Sequence, residues 1–211
     1  MNVPEPPIKR TVSFFDGQNL YRHAMAAFGH HHPNYDPVKL TGAICASKGW
    51  VSHGVRFYTG VPDARHDPAW HAYWSNRTLQ MRRSGILVTT RPLRYRETEV
   101  TNLDGSKRVV EVPHEKGIDV RLALDVVRLA RGNQYDVALI FSQDQDLAEV
   151  VEDVVEIAKS QQRWIKVACA FPSSAQATAT RGIDRAEWVP MDRTFYDACL
   201  DPRDYRPRSA T

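Results

Sequence analysis

Four aspartates stand where short apolar runs end or helical patterns begin. Asp16 follows Phe14-Phe15 and precedes Gly17-Gln18-Asn19, and Asp144 and Asp146 follow the apolar run Val137 to Phe141 within Ser142-Gln143-Asp144-Gln145-Asp146. Asp119 closes Lys116-Gly117-Ile118-Asp119. Carboxylates gathered in one crevice repel, since two unit charges ~4 Å apart cost roughly 4 kcal/mol at an effective dielectric of ~20. A retained proton or a divalent cation must offset that cost, and oxygen-only ligands select Mg²⁺ or Mn²⁺ over zinc. One or two such ions recruit phosphates and activate water, the chemistry of phosphodiester hydrolysis. Each acid also has a plainer reading. Asp119, Asp144 and Asp146 could cap helices, whereas Asp16, between two phenylalanines and a glycine, is harder to explain as a surface cap.

These residues need elements that bring them together. Thr11 to Phe15 is β-branched and aromatic, Asn19 to Phe28 has helical composition, and Asp36-Pro37 is an N-cap and first-turn pair for a helix carrying Leu40, Ala43 and Ile44. Val55 to Thr59 reads as a strand, Pro68 to Arg83 as a helix and Ile86 to Thr89 as a strand. Leu93 to Val112 alternates about the turn Asn102 to Ser106, predicting a hairpin-like insertion. Ala123, Val126, Val127 and Ala130 predict a one-sided helix over Val120 to Arg131. Val137 to Phe141, apolar throughout, fits a central parallel strand. A helix bearing Leu147, Val150, Val151, Val154, Val155 and Ala158 and a strand from Trp164 to Ala170 follow. Strands alternating with helices over short links predict a single α/β domain, residues 11–200, between mobile tails at 1–10 and 201–211. The connections leaving the carboxyl ends of its strands would line the ligand crevice, with the first strand beside Val137 to Phe141.

Composition narrows the partners. At 211 residues, 42% hydrophobic and 25% charged, the chain can fill a core and is not a disordered sequence. No apolar run is long enough for a membrane span and Met1 to Arg10 has no signal-peptide core, so a cytoplasmic location is expected. Cys45, Cys169 and Cys199 show no CxxC spacing and are expected to be reduced. From Arg77 to Arg108 eight basic and three acidic residues give +5, in a chain whose total is +3. This local excess suits a polyanion, with Arg91, Arg94, Arg96, Lys116 and Ser142 as candidate substrate contacts. Trp70, Tyr73 and Trp74 could stack on bases or pack in the core, and His30 to His32 are expected to be solvated.

Phe-Phe-Asp-Gly-Gln-Asn-Leu, Lys-Gly-Ile-Asp-Val and Phe-Ser-Gln-Asp-Gln-Asp-Leu, in this order, resemble the DGxN, KGxD and SxDxD motifs of the NYN domain family, PIN-like nucleases also described as LabA-like. The resemblance spans roughly Thr11 to Asp197. It implies a three-layer α/β/α sandwich and a metal-dependent ribonuclease acting on single-stranded RNA and leaving a 5′-phosphate. Asp16, Asp119 and Asp144 match the family's metal-coordinating acids, Asp146 its further acid and Asn19 the asparagine of DGxN. Gln143 replaces a residue that is often glycine and could narrow the site. A non-catalytic RNA-binding or regulatory module on the same fold is the alternative, against which the four intact aspartates weigh.

Overall fold

The computed structural model describes residues 3–101, 106–175 and 180–207. Strand β1 (Arg10–Asp16) is buried from Thr11 onward and runs straight into α1 (Gly17–Phe28). Then follow α2 (Pro37–Lys48), β2 (Val51–Val61), α3 (Pro68–Arg83) and β3 (Leu87–Pro92). The insertion is a separate antiparallel ribbon, β4 (Arg94–Thr101) and β5 (Lys107–His114); the first four residues of its expected turn, 102–105, lie outside the described residues. The chain continues through α4 (Ile118–Arg131), β6 (Val137–Phe141), a 3₁₀ turn (Gln145–Leu147), α5 (Ala148–Ser160), β7 (Lys166–Pro172), β8 (Glu187–Met191) and α6 (Arg193–Asp197).

Six strands form one sheet in the order β3-β2-β1-β6-β7-β8, and every neighbouring pair is parallel. The order reverses direction between β1 and β6, which pair from Thr11 with Val137 to Phe15 with Phe141. At such a switch point the crossovers leave on opposite faces and open a crevice beyond the carboxyl ends of the strands.

Side-chain alternation splits the core. Val137, Leu139 and Phe141 join Phe15 and Phe57 beneath Leu20, Ile44 and Trp74 of the first three helices. Ala138 and Ile140 join Val12 and Phe14 against Leu122 and Val126 of α4 and Val151 and Val154 of α5. Phe15 and Phe141 stack at 3.8 Å between centroids across the β1–β6 pair, fixing the two strand ends that carry the acids. The result is the expected three-layer α/β/α sandwich with a hairpin insertion.

Some expectations need correction. Strand β2 begins four residues earlier than Val55, because exposed Val51 and Ser52 pair with β1 without an apolar pattern and the register then skips His53. Strand β7 lies two residues later than Trp164 to Ala170. Strand β8 and α6 carried no expectation, since Pro190 inside a five-residue run argues against a strand except at a sheet edge, where β8 lies. Arg77, counted in the basic segment, is 1% exposed: its Nη2 donates to the Tyr35 carbonyl at 2.6 Å and its guanidinium lies over the Tyr35 and Tyr205 rings. It belongs to the core. Tyr205, in the stretch expected as a C-terminal tail, is itself buried. His30 pairs with Asp197 at 2.7 Å and stacks on Tyr196, so the histidine run is not simply solvated. The three cysteines are free and buried, as expected.

Candidate acidic active site

Asp16 is the last residue of β1 and the N-cap of α1, its carboxylate accepting from the Asn19 backbone N–H at 3.1 Å. The turn is abrupt because Gly17 has no side chain: a Cβ there would sit 2.6 Å from the Phe57 ring and 3.0 Å from the Tyr58 carbonyl. Beyond the adjacent end of β6, Ser142 Oγ donates to Asp16 Oδ2 at 3.3 Å and accepts from the Asp144 N–H at 3.2 Å. Asp144 in turn caps the 3₁₀ turn by accepting from Asp146 N at 3.1 Å. The Asn19 side chain closes the arrangement, its Oδ1 accepting from Gln143 N at 2.8 Å. Asn19 therefore fastens the loop after β6 to α1, while its backbone, not its amide, holds Asp16.

The third acid arrives from the opposite face of the sheet. Gly117, at φ +75°, turns the chain from the ribbon into α4, and Asp119 lies in the first turn of that helix, where the positive end of the macrodipole favours an anion. Asp16, Asp119 and Asp144 line one cleft of about 310 Å³ with Gln18, Asn19, Arg22, Glu115, Lys116 and Gly117. Glu115 is the acid that sequence reasoning missed. It follows β5 directly and sits outside the KGxD pattern, and its Oε2 accepts from Gly60 N at the end of β2. The signal available was its position one residue beyond a strand.

The electrostatics follow from burial. Asp16 is only 6% exposed, and desolvation raises its pKa to about 6 despite the bonds from Asn19 and Ser142; the charges of Asp144 and Asp119 push the same way. Desolvation and then Asp16 raise Glu115 to about 7, with Arg22 acting in the opposite sense. Two carboxyls in the cleft therefore hold protons more tightly than usual, and the cations bordering it are Arg22 and Lys116.

The other expected site residues sit elsewhere. Asp146 is exposed and does not line the cleft. Ser142 is 1% exposed, so it orients Asp16 and Asp144 and cannot be a substrate contact. Gln143 does not line the cleft; its Nε2 donates to the Arg181 carbonyl at 2.8 Å. Arg91 reaches the cleft's margin, where a Cβ on Gly117 would come within 2.6 Å of its Nη1. Arg94 and Arg96 stand exposed on β4.

Among the described residues, no three His, Cys, Asp or Glu side chains are drawn tightly enough together to form a ready-made metal sphere. The donor set is nevertheless oxygen-only, which suits Mg²⁺, an ion held through one or two carboxylates with waters and phosphate oxygens completing its shell. A desolvated Asp16 carboxylate with Asp144 and Asp119 lining the same cleft is the observation that fits a cation.

No helix among the described residues is long and apolar enough to cross a membrane. No curated protein matches the chain. A solved protein of unknown function, VPA0982 from Vibrio parahaemolyticus, is similar at TM-score 0.56 and 21% identity over 91% of this chain and 98% of that one, a likeness of fold. The model of the NYN domain matches residues 10–180, which hold β1, the switch point and every acid of the cleft; the chain belongs to the NYN domain family.

Proposed function

We propose that the protein is a metal-dependent endoribonuclease that hydrolyses phosphodiester bonds of single-stranded RNA. One observation carries the reading: Asp16, Glu115, Asp119 and Asp144 line a single cleft at the switch point of the sheet, bordered by Arg22 and Lys116. The family is PIN-like and nuclease-like, which supports the same chemistry. A binding module gains nothing from carboxylates that repel both one another and a polyanion.

Asp16, Asp119 and Asp144 would hold Mg²⁺ or Mn²⁺, which when bound neutralises phosphate charge and acidifies water. The chain supplies the positioning. Ser142 and the Asn19 backbone hold the two oxygens of Asp16, and Asn19 Oδ1 sets the loop that presents Asp144. Lys116 and Arg22 offset charge on the phosphate, and Glu115, fixed on Gly60 N, stands ready to hold or give a proton near neutral pH.

The test is a labelled single-stranded RNA with Mn²⁺ or Mg²⁺, run with wild type and Asp144→Asn. Cleavage by wild type alone, abolished by EDTA, supports the enzyme. Tight binding without cleavage under either metal favours the regulatory module on the same fold, and equal cleavage by Asp144→Asn removes the acids from the mechanism.

A further inference from the structure

A second and larger cavity, about 630 Å³, opens at the same edge of the sheet, between α3 and the ends of β2 and β3. Ser75, Thr78, Leu79 and Arg82, spaced i, i+3, i+4 and i+7, present one face of α3 to it. Thr78 is buried in that face, and beside it Leu79 is 47% exposed. Pro62 and Pro92 face the helix from the two strand ends, and Arg91 lines the cavity as well.

Arg91 ties the two sites together, because its guanidinium also lies against the backbone of Gly117, which lines the acidic cleft. The sheet sets the distance between them. The cleft sits over β1 and β6 and the cavity over β2 and β3, so their centres are separated by two strand spacings, roughly 10 Å. Apolar walls with two arginines suit a flat base attached to a phosphate. Among the described residues neither Arg82 nor Arg91 pairs with a carboxylate, and Asp63, which also lines the cavity, is engaged by Arg65 at 2.8 Å. His71 Nδ1 donates to the Pro62 carbonyl at 2.8 Å, which fixes the ring at the cavity wall.

We propose that this cavity is a nucleotide subsite, holding a base and phosphate of a single-stranded polynucleotide whose neighbouring phosphate lies in the acidic cleft. The proposal rests on reading that cleft as a polynucleotide site. A cavity of this kind makes the enzyme prefer a chain that extends past the scissile bond over a dinucleotide.

Its test uses fluorescein-labelled oligouridylates of two and eight residues, with Asp144→Asn as the background so that cleavage does not disturb the binding measurement. Arg82→Glu and Leu79→Glu, both at exposed positions, should weaken the octamer about tenfold and the dinucleotide, which lacks the second phosphate, much less. Arg83→Glu, exposed on the same helix but outside the cavity, should leave both unchanged. An octamer carrying 4-thiouridine should crosslink to a peptide containing Leu79. If wild type cleaves RNA but Arg82→Glu and Leu79→Glu match Arg83→Glu, the subsite is overturned and the nuclease stands. If wild type cleaves nothing while the length-dependent loss is seen, the subsite stands and the nuclease does not.

Discussion

Asp16 and Asp125 are both buried carboxylates, and their surroundings separate structure from chemistry. Asp125, 2% exposed, accepts from the Tyr58 hydroxyl at 2.9 Å and lies beside the guanidiniums of Arg56, Arg121 and Arg128. Its charge is answered locally, as a buried ion in a core requires. Asp16 meets one hydroxyl, one backbone N–H and the charges of two further acids. Asp16→Asn should consequently remove nuclease activity while raising thermal stability by a few degrees at pH 7.5, whereas Asp125→Asn, which strands three arginines, should lower it by several degrees. Thermal melts of both variants beside an RNA cleavage assay read the contrast. A stability loss in Asp16→Asn would mean that its cap on α1 outweighs the repulsion.

At the scale of elements, the register of the ribbon sorts its charges. Arg94 opposite His114, Arg96 opposite Val112 and Val100 opposite Arg108 share one face, while Glu97 opposite Glu111 and Glu99 opposite Val109 share the other. The acidic face is the one tied to the body: Tyr95 accepts from Asp63 N at 3.1 Å, and His66 stacks on Tyr95 and meets Glu111 at 3.0 Å. Charge reversal of Arg94 and Arg96 together should therefore weaken single-stranded RNA binding, flatten its salt dependence and leave stability within about 0.5 kcal/mol. Arg77→Ala should do the reverse, costing about 3 kcal/mol or more in urea denaturation by opening a buried cationic site, with no change in salt slope once folded. Gly117→Ala should cost about 1 to 2 kcal/mol, through its left-handed backbone and the clash with Arg91, and should lower RNA affinity as Arg91 moves. This is also the scale at which the sequence was most legible. The helix from Pro37 declared its start through the Asp36-Pro37 pair, and β6 declared its burial through five apolar residues. What stayed hidden depends on partners distant in the chain. Arg77 is basic by type and core by its aromatic neighbours, and Glu115 joins the acids only because β5 delivers it beside Gly60. Ser142 and Asn19 reveal their positioning roles only through bonds that span more than 100 residues.

For the whole molecule, the two raised acids set a direction with pH. A carboxyl whose folded pKa lies above its unfolded value keeps its proton in the fold while the unfolded chain has lost it, so stability falls as pH rises through that window. For Asp16 the window runs from the ordinary 3.8 to about 6, corresponding to roughly 3 kcal/mol at most, and for Glu115 it runs from 4.5 to about 7. The metal-free protein should melt higher near pH 5 than near pH 7.5, and millimolar Mg²⁺ or Mn²⁺ should raise the melting temperature at pH 7.5 and have little effect at pH 5. A melting profile flat across this range, with and without metal, would contradict the buried and crowded state of these carboxyls. The placement of β1 has a consequence in time as well as space. The Ser142 to Asp16 bond closes a loop of 126 residues, and β1 finds its inner neighbour only after β6 has been made. Loop closure over such a length comes late and slowly in folding. A nascent chain still held at the ribosome thus carries Asp16 and Asp144 on unconnected segments, and the acidic cleft takes shape only once β6 and the loop after it have emerged.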